Sequence, residues 1–592
     1  MTEGAAAPEA QPSAGPGAAG ASVRAFLWTL ARPLLGQFRE LLVFSLFINV
    51  IALATPVFVL QVYDRVVFHA GLSTLQGLAI GMAIAIAFDF ALRQGRSRLM
   101  QRVSLRIDAD LGRKLYDKIT GLPLRTLETR PAAYWQSLFR DAAEVRNLIG
   151  GPNAVLLVDL PFIALAIGLI FIIAAPIVWV LGIALLAFVA IAWWSSAAVQ
   201  RASRDEREAG LNRESMLAEF VAGRTTVKAL ALEDRMRNVW DDRHADAIER
   251  ALVRGGRADA FGNAGMAMSL TTTVGLTTVG ALAILDQQMT IGALIAANML
   301  STRVIAPLNQ LVGAWRNFAL YRQAARRLAE AFALPEERRA SEIAFERPAG
   351  MLALEGVSYR FDGAARPALD KIRFAIRPGG LHGIVGKNGS GKTTLLKLMQ
   401  GLYTPSEGRV LIDGGDLAQF TRAEIARWIG YVPQETFLFR GSVRDNIAAV
   451  RDGATDEAIL AASREAGAHG FVIDLPGGYA TDIGEGGQRL SAGERRLLAI
   501  ARALLGDPPV LLLDEPTAGL DRPAEEQLRN LLARLAADHN VVVVTHSPIV
   551  LSACQNLIAL ERGRVALAGP AREIMPKLFG QHAHNPPLER KV

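Results

Sequence analysis

Apolar and charged stretches alternate along the first half of the chain in a pattern typical of a membrane domain. Each apolar stretch approaches the ~20 residues that an α-helix needs to cross a bilayer. The six stretches cover residues 41–62, 74–92, 154–174, 177–195, 262–284 and 289–308. This pattern predicts an all-α transmembrane domain over residues 24–330, embedded in the lipid bilayer.

The two longest connections, between spans two and three and between spans four and five, are rich in arginine and keep a helical spacing of apolar residues. They predict helical extensions of the spans that reverse near Glu128–Phe139 and Arg213–Gly223, with tips that contact the second domain. The other three connections carry almost no positive charge. Because positive loops stay on the cytoplasmic side, we expect the basic segments and both termini to be cytoplasmic.

Other segments differ in composition from the membrane domain. Residues 1–23 are rich in Ala, Gly and Pro and predict a disordered tail. Arg24–Glu40 mixes arginine with bulky apolar residues, which fits either a helix in the membrane interface or the solvated start of the first spanning helix. We predict a charged, proline-flanked linker over 331–350, a second domain over 351–580 and a C-terminal tail over 581–592.

The composition agrees with a membrane domain joined to a soluble one, since 51% of the 592 residues are hydrophobic and 20% are charged. The net charge of +7 is explained by the basic cytoplasmic segments, so no nucleic-acid partner is expected. The single cysteine, Cys554, excludes a disulfide within the chain and a cysteine-based zinc cluster.

Charged side chains within predicted spans are functional candidates because burying them in lipid is costly. Asp89 and Arg93 are four residues apart, which favours an ion pair along one helix. Asp159 and Arg303 lie at similar depth in spans three and six, and we expect them to pair or to line the lower cavity. The threonines and glycines of span five favour close helix packing, with pathway lining as the alternative.

After residue 351, short apolar runs alternate with helical segments. Strands this apolar are typically buried on both faces, so the pattern predicts an α/β domain with a parallel sheet. The predicted strands are 352–361, 372–376, 381–385, 509–514 and 541–545.

A glycine-rich loop follows the third of these strands and precedes a helix. This order is that of the phosphate-binding P-loop, in which backbone N–H groups and a helix N-terminus surround an anion. Lys392 can reach the β- and γ-phosphates of a nucleotide, and the Thr393 hydroxyl can ligate Mg²⁺. The predicted nucleotide-binding residues of the loop are Gly386, Asn388, Gly389, Ser390, Gly391, Lys392, Thr393 and Thr394.

Further motifs in the second domain select one protein family. An apolar strand ends in Asp514-Glu515, Gln434 follows a Tyr-Val-Pro run, and His546 ends the last apolar strand. The signature motif, Leu-Ser-Ala-Gly-Glu at 490–494, precedes a helix. With the P-loop, and in this order, these motifs resemble the nucleotide-binding domain of ATP-binding cassette (ABC) transporters. Fused to six spans, the chain resembles an ABC exporter half-transporter.

This resemblance implies ATP hydrolysis coupled to transport, with ATP as substrate and Mg²⁺ as cofactor. Phe361 would stack on adenine at a position where tyrosine is usual. The metal ligands would be Thr393, Gln434 and Asp514. The catalytic residues would be Glu515 as general base, His546 at the γ-phosphate and Gln434 as a sensor of Mg²⁺ and the attacking water.

The signature motif would complete the nucleotide site of a second copy, so the resemblance implies a homodimer. The signature residues that would bind nucleotide are Ser491, Gly493 and Glu494. The family pattern is Leu-Ser-Gly-Gly-Gln, so Ala492 and Glu494 depart from it. Because Ser491 and the Gly493 N–H can still face a γ-phosphate, we expect hydrolysis to survive. Because Glu494 adds a negative charge near the nucleotide, we expect weaker ATP affinity.

Three stretches resemble one exporter branch, the type I secretion transporters of Gram-negative bacteria. They are 54–67 in span one, the run from Leu122 to Pro131, and 158–162 in span three. The resemblance implies export of an unfolded protein across the inner membrane, with a periplasmic adaptor (membrane fusion) protein and an outer-membrane channel. About forty residues without cysteine precede span one, so we expect the short branch that lacks an N-terminal peptidase and whose cargo keeps its C-terminal signal.

Two other functions stay open at this point. A lipid or small-molecule exporter has the same architecture, and an ABC ATPase can also gate or regulate rather than transport. The intact Glu515 and His546 argue against a purely regulatory role. A neighbouring gene for an adaptor, or for a large calcium-binding repeat protein, would favour protein export over lipid export.

Overall fold

The computed structural model describes residues 16–67, 71–341 and 345–579, which form two compact units. The first unit takes in the chain up to Thr120 together with Ala132–Leu334. The second takes in Gly121–Pro131 and the chain from Pro335 onward. The first unit is helical, and the second combines helices with two β-sheets. The predicted fold class, an all-α transmembrane domain fused to an α/β domain, is confirmed.

Long helices build the first unit because the apolar spans continue without a break into their amphipathic extensions. A π-helical turn at Val62–Val67 follows the third helix. The helices before residue 334 are α1 (Pro16–Ala31), α2 (Leu35–Ala52), α3 (Ala54–Gln61), α4 (Leu72–Thr120), α5 (Leu124–Glu128), α6 (Ala132–Gly150), α7 (Pro152–Asp159), α8 (Ile163–Ile173), α9 (Val178–Ala222), α10 (Arg224–Ala229), α11 (Glu233–Leu285) and α12 (Ile291–Ala333), of which α5 belongs to the second unit.

Five helical segments within the described residues are long and apolar enough to cross a membrane. Each overlaps one predicted span, and the remaining predicted span, 177–195, overlaps the shorter apolar helix Ala175–Ile191. The five segments are Val23–Val67, Leu72–Thr120, Ala132–Ile173, Glu233–Leu285 and Ile291–Gln310. The protein is therefore a multi-pass membrane protein.

The N-terminal helix begins inside the predicted tail of residues 1–23, which corrects that boundary. α1 starts at Pro16, because alanine favours helix and proline is tolerated in a first helical turn. It ends at Ala31, and a 3₁₀ turn that contains Pro33 separates it from α2. Residues 24–31 of the segment before span one thus lie on a separate helix, and residues 35–40 form the start of α2. The first fifteen residues of the predicted tail and the predicted tail 581–592 lie outside the described residues.

The first chain reversal between long helices comes earlier than the predicted segment Glu128–Phe139. α4 ends at Thr120 and α6 already begins at Ala132. Two prolines, Pro123 and Pro131, bracket the short helix α5 between them, and proline cannot continue a helix interior.

The second reversal comes later than predicted. α9 runs through most of the predicted segment Arg213–Gly223 and ends only at Ala222. The chain then turns through α10 and reaches α11 at Glu233. Glycine at 223 marks the end of α9, as glycine commonly does after a helix.

The charged residues of the spans pair differently from the prediction in one case. The pair of Asp89 and Arg93 is confirmed at 2.6 Å. The pairing of Asp159 with Arg303 is wrong, because the Asp159 carboxylate accepts hydrogen bonds from Arg96 of α4 at 2.9 and 3.1 Å. Arg303 instead lies within electrostatic range of Arg93 and Asp89. The position of a residue within its predicted span indicates its depth in the bilayer, but it does not show which faces of the helices meet.

The threonines of span five bond mainly within their own helix. The hydroxyls of Thr271, Thr272, Thr273 and Thr277 each donate to the carbonyl four residues earlier. Thr277 also accepts a hydrogen bond from Asn298 of α12 at 3.1 Å. This contact joins α11 to α12, as expected where polar side chains support close helix packing.

The second unit contains α5 and the remaining elements of the chain. Its strands are β1 (Leu352–Tyr359), β2 (Leu369–Ile376), β3 (Gly380–Gly386), β4 (Glu407–Ile412), β5 (Gly415–Asp416), β6 (Ile429–Val432), β7 (Val510–Asp514), β8 (Asn540–Val544), β9 (Asn556–Glu561) and β10 (Arg564–Pro570). Its other helices are α13 (Lys392–Met399), α14 (Arg422–Trp428), α15 (Val443–Ala448), α16 (Asp456–Glu465), α17 (His469–Asp474), α18 (Ala492–Leu504), α19 (Arg522–Leu535), α20 (Pro548–Leu551) and α21 (Ala571–Phe579).

These strands form two sheets rather than the single parallel sheet predicted. Five strands run parallel in the order β9-β3-β8-β7-β6, and β10 joins their edge antiparallel. The prediction of a parallel sheet is confirmed for β3, β7 and β8. It is wrong for β1 and β2, which pair antiparallel in a second sheet of order β2-β1-β4-β5. The partly exposed side chains of β2 fit such a sheet, which does not need cover on both faces.

The parallel register brings the predicted site residues to one edge. Ile384 of β3 and Asp514 of β7 both pair with Val544 of β8. The P-loop, Glu515 and His546 therefore leave the sheet side by side. Ligands bind outside the carboxyl ends of parallel strands in such sheets, so this edge is the candidate site.

Candidate functional site

At two positions the P-loop has a backbone conformation that glycine adopts readily and other residues rarely adopt. Gly389 and Gly391 have φ of +78° and +99°, in the left-handed region. A Cβ at Gly391 would lie 2.9 Å from the Ala368 carbonyl oxygen, so the loop is also too close-packed there for a side chain. α13 begins directly after it at Lys392, which directs a helix N-terminus toward the loop.

The side chains of the loop fit an anion. The Lys392 ammonium is buried and donates to the Gly386 and Lys387 carbonyls at 2.8 and 3.3 Å. Burial lowers the pKa of Lys392, against the opposing charges of Glu515 and Asp514. The Ser390 Oγ is buried and makes no hydrogen bond to the described residues. Asn388 and Thr393 are exposed, and Thr394 is half-buried.

Asp514 fits a metal ligand. Its carboxylate is buried, and neither oxygen makes a hydrogen bond of ordinary geometry within the described part of the chain. Burial raises the pKa of Asp514, while the nearby Thr393 hydroxyl and Lys392 ammonium oppose that rise. A buried carboxylate without partners beside a hydroxyl is suited to a divalent cation such as Mg²⁺, which prefers oxygen ligands.

Glu515 and His546 lie together at the ends of β7 and β8. His546 Nε2 is 3.3 Å from the Glu515 carboxylate. Glu515 has a φ of +46°, a strained conformation for a residue with a side chain. Its backbone N–H donates to the Val544 carbonyl at 2.9 Å, which holds the residue in this conformation. Burial raises the pKa of Glu515, and the His546 charge lowers it.

Gln434 follows β6 by two residues, and Val432 of that strand pairs with Leu513 of β7. The sheet therefore brings the backbone of Gln434 to the same edge as Asp514. The Gln434 side chain is exposed.

Phe361 lies just beyond β1 in a cluster of aromatic rings. Its ring meets Tyr359 edge-on with centroids 5.1 Å apart, and Tyr359 stacks on Tyr403 at the same separation. The Arg125 guanidinium lies 4.9 Å from the Phe361 ring centroid, in a cation–π contact. Arg125 also reaches Asp362 at 3.2 Å.

The helix α5 contributes residues that the motifs did not identify. Its Glu128 pairs with Lys397 of α13 at 2.8 Å and accepts a hydrogen bond from the Tyr403 hydroxyl. Burial alone would raise the pKa of Glu128, but these two bonds hold it below its ordinary value. The prolines at 123 and 131 are the one sequence signal for a separate element here, and they carry no information about the residues it contacts.

The signature motif is built as the start of a helix. Ser491 is the N-cap of α18 and forms a capping box with Glu494. Gly493 lies in the first turn. No hydrogen bond or ion pair among the described residues joins Ser491, Gly493 or Glu494 to the P-loop. The structure thus brings together the P-loop, Asp514, Glu515 and His546, whereas the signature residues form a separate group.

Comparisons with known families match both units. A family model described as ABC transporter matches residues 369–518, and one described as ABC transporter transmembrane region matches residues 38–308. The first range holds the P-loop, the signature and Asp514-Glu515. The second spans most of the helical unit.

Similar curated proteins cover most of the chain. The cyclolysin secretion/processing ATP-binding protein of Bordetella pertussis is 33% identical over 531 residues, which are 90% of this chain and 74% of that protein. The alpha-hemolysin translocation ATP-binding protein of Escherichia coli is 30% identical over 539 residues, which are 91% and 76% of the two chains. A solved bacterial Atm1-family ABC exporter with ATP bound aligns with a TM-score of 0.80 at 22% identity over 94% of this chain, and supports the fold.

Proposed function

The chain belongs to the ABC transporter family, and from this membership we propose that it exports an unfolded protein as the ATPase and permease of a type I secretion system. It binds ATP and couples ATP hydrolysis to export across a membrane. Support for a protein cargo comes from the relatives, whose names describe secretion of cyclolysin and translocation of alpha-hemolysin. They are 33% and 30% identical to this chain over 90% and 91% of its length. This likeness is the observation that carries the proposal.

The proposed setting is the inner membrane of a Gram-negative bacterium, with both termini in the cytoplasm. The basic segments between spans two and three and between spans four and five support this orientation. The proposed partners are a periplasmic adaptor (membrane fusion) protein, an outer-membrane channel and a secreted protein that keeps its C-terminal signal. These partners would continue the route of the cargo beyond the inner membrane.

At the nucleotide site, the chain's own residues would place ATP for attack by water. The P-loop N–H groups and Lys392 would hold the β- and γ-phosphates, and Phe361 would stack on the adenine. Glu515 would orient the attacking water and accept its proton, and His546 would hold both that carboxylate and the γ-phosphate. The strained backbone of Glu515 and its 3.3 Å contact with His546 support these roles.

Mg²⁺ would neutralise charge on the transferring phosphate and would be held by Thr393, Asp514 and Gln434. The unpartnered carboxylate of Asp514 supports its assignment as a ligand. It lies beside Thr393, which begins α13 together with Lys392.

The chain would act as a homodimer. Each copy carries one P-loop and one signature motif, and no hydrogen bond or ion pair within one copy joins the two among the described residues. A second identical copy would supply Ser491, Gly493 and Glu494 to each nucleotide, which gives two equivalent sites.

Reconstitution of the full chain into liposomes tests this function. ATPase activity should depend on Mg²⁺. It should rise on addition of the C-terminal segment of a candidate cargo whose gene neighbours the gene for this protein. Glu515→Gln should abolish turnover while ATP still binds, and a control cargo segment of scrambled sequence should leave the rate unchanged. Stimulation by phospholipid or small molecules alone would overturn the protein-export proposal, and normal turnover in Glu515→Gln would overturn the assignment of the base.

A further inference from the structure

Ser491 and Glu494 hold each other through two reciprocal hydrogen bonds. The Glu494 backbone N–H donates to the Ser491 Oγ at 3.2 Å. The Ser491 backbone N–H donates to the Glu494 carboxylate at 2.7 Å. The first bond fixes the rotamer of Ser491. The second holds the Ser491 backbone in its extended N-cap conformation, at φ −63° and ψ 163°, at the start of α18.

This arrangement decides which hydrogen-bonding groups of the signature stay free. A serine hydroxyl has one donor and two acceptor positions, and an acceptor position is used by Glu494. The O–H of Ser491 is left to donate outward. The N–H groups of Ala492 and Gly493 are in the first helical turn, where α-helices leave donors without intrahelical acceptors.

Ser491 and Ala492 are exposed to solvent. A Cβ added at Gly493 would meet nothing nearer than a Leu520 methyl at 3.9 Å. The Ser491 O–H and the N–H groups of Ala492 and Gly493 therefore form a cluster of donors at the helix N-terminus that can bind an anion. Glu494 is turned back onto the Ser491 N–H, so its negative charge compensates the positive end of the helix.

We propose that Glu494 is a positioning residue whose carboxylate holds the Ser491 backbone in the N-cap conformation and so directs the Ser491 hydroxyl, as a donor, toward the terminal phosphate of ATP held by a second copy of the chain. This inference rests on the proposed function, in which the signature faces the partner's nucleotide. It replaces the expectation that the Glu494 charge weakens ATP affinity. The contact that matters is the one between the carboxylate oxygen and the Ser491 N–H, which an uncharged amide oxygen makes equally well.

Variants of the full-length protein in lipid nanodiscs separate positioning from charge. Glu494→Gln keeps an acceptor of the same length and should retain kcat and the KM for ATP within about twofold. Glu494→Ala loses the acceptor and should lower kcat by at least about tenfold. The loss should stay below the about hundredfold or more that follows when a transition-state donor is removed outright. Its KM should change little, because Ser491 would meet the phosphate only when two copies close on the nucleotide.

A matched control removes an equivalent capping box elsewhere in the same unit. Thr421 and Glu424 of α14 have the same reciprocal bonds, including a 2.7 Å bond from the Thr421 N–H to the Glu424 carboxylate. Glu424→Ala should lower the unfolding temperature as much as Glu494→Ala does, with kcat unchanged. A purely structural role for Glu494 predicts instead that the two variants behave alike in both measurements.

A double-mutant cycle supplies the second test. Since Glu494 acts through the Ser491 hydroxyl, Ser491→Ala and the double variant Ser491→Ala/Glu494→Ala should have the same kcat. Multiplicative losses in the double variant would overturn the proposal, as would normal kcat in Glu494→Ala. Equal damage in Glu494→Gln and Glu494→Ala would show that the charge matters instead. If wild-type protein does not hydrolyse ATP, it is the proposed function that fails.

If Glu494→Ala does not fold, Glu494→Asp provides a second test of the same hydrogen bonds. Ser442 and Asp445 of α15 form a capping box in this same unit, so aspartate can make both bonds at the third helical position. Glu494→Asp should therefore restore kcat to within about threefold of wild type. A tenfold loss in a folded Glu494→Asp, with Glu494→Gln active, would contradict the geometry.

Discussion

The Asp159 carboxylate at the end of α7 is held by the Arg96 guanidinium of α4 through two hydrogen bonds of 2.9 and 3.1 Å. Asn49 of α2 donates to the same carboxylate at 3.2 Å, and Arg96 also reaches the buried Ser45 hydroxyl at 3.2 Å. One polar network thus joins three helices of the membrane unit. Both charged side chains are mostly buried, with 13% and 25% exposed, so neither can be left alone without cost.

Removal of either charge should destabilise the membrane unit. Asp159→Ala or Arg96→Ala should each cost roughly 2 kcal/mol of unfolding free energy, below the about 3–5 kcal/mol of a fully buried pair because both side chains keep some access to solvent. Thermal unfolding of the purified protein measures the loss. The charge-swapped Asp159→Arg/Arg96→Asp should recover part of it. As a control, Asp159→Arg/Arg303→Asp should recover none of the lost unfolding free energy. Recovery in that variant would support the predicted pairing of Asp159 with Arg303.

The contact of Glu128 with Lys397 and Tyr403 should serve transport rather than basal hydrolysis. Lys397 is in the last turn of α13, the helix that starts at the P-loop, so α5 is bonded to the helix that follows the proposed phosphate-binding loop. Glu128→Gln and Tyr403→Phe should each keep basal ATPase activity within about twofold, while stimulation by cargo falls several-fold. ATPase and transport assays on the same liposomes measure both quantities.

A nearby ion pair offers the control for this experiment. Arg125 and Asp362 meet at 3.2 Å, but Asp362 is 85% exposed, so their pair contributes little. Asp362→Asn should leave both basal and stimulated rates unchanged. Equal loss of stimulation in Asp362→Asn and Glu128→Gln would show that any change beside α5 disturbs coupling, and would contradict a specific role for Glu128.

The grouping of the P-loop with Asp514 and His546 could be predicted from the sequence, because each lies at or directly after the end of a recognisable strand. The P-loop needs glycine at fixed positions, and parallel strands bring Asp514 and His546 to one edge once the strands are recognised. The pairing of Asp159 could not be predicted, because helical spacing gives the faces of each helix but not which faces meet. Glu494 shows a different limit. Its spacing from Ser491 is that of a capping box, but spacing alone does not show which hydrogen bonds form, so the expectation for Glu494 rests on its charge.

His382 in β3 should make stability depend on pH. The side chain is buried, with Nε2 3.0 Å from the Gly379 carbonyl oxygen. Burial lowers the pKa of His382, and the carbonyl partly opposes that shift. An unfolded chain takes up a proton near pH 6.5, whereas the folded protein stays neutral to a lower pH. The unfolded state therefore binds more protons in this window, and the unfolding free energy should fall as pH drops below about 6.5.

Thermal unfolding across pH values above and below this window tests the role of His382. His382→Gln keeps a polar side chain of similar size that does not titrate, so its unfolding temperature should fall less on acidification than that of the wild type. The comparison removes contributions from other titrating groups, which both proteins share. Identical pH dependence in the two proteins would exclude His382 as the source.

Asp64 fastens the π-helical turn after α3 to the start of α12. Its carboxylate accepts hydrogen bonds from the Thr290 hydroxyl at 2.7 Å and from the Gly292 backbone N–H at 3.1 Å. The second bond satisfies a donor that a helix start leaves open, and the negative charge suits that end of the helix. Asp64→Ala should therefore cost about 1–2 kcal/mol of unfolding free energy. Asp64→Asn keeps an acceptor and should lose less. Hydrogen exchange at Gly292 gives a local readout, because its amide should exchange faster in Asp64→Ala than in Asp64→Asn. Unchanged exchange in both variants would mean that α12 starts independently of Asp64.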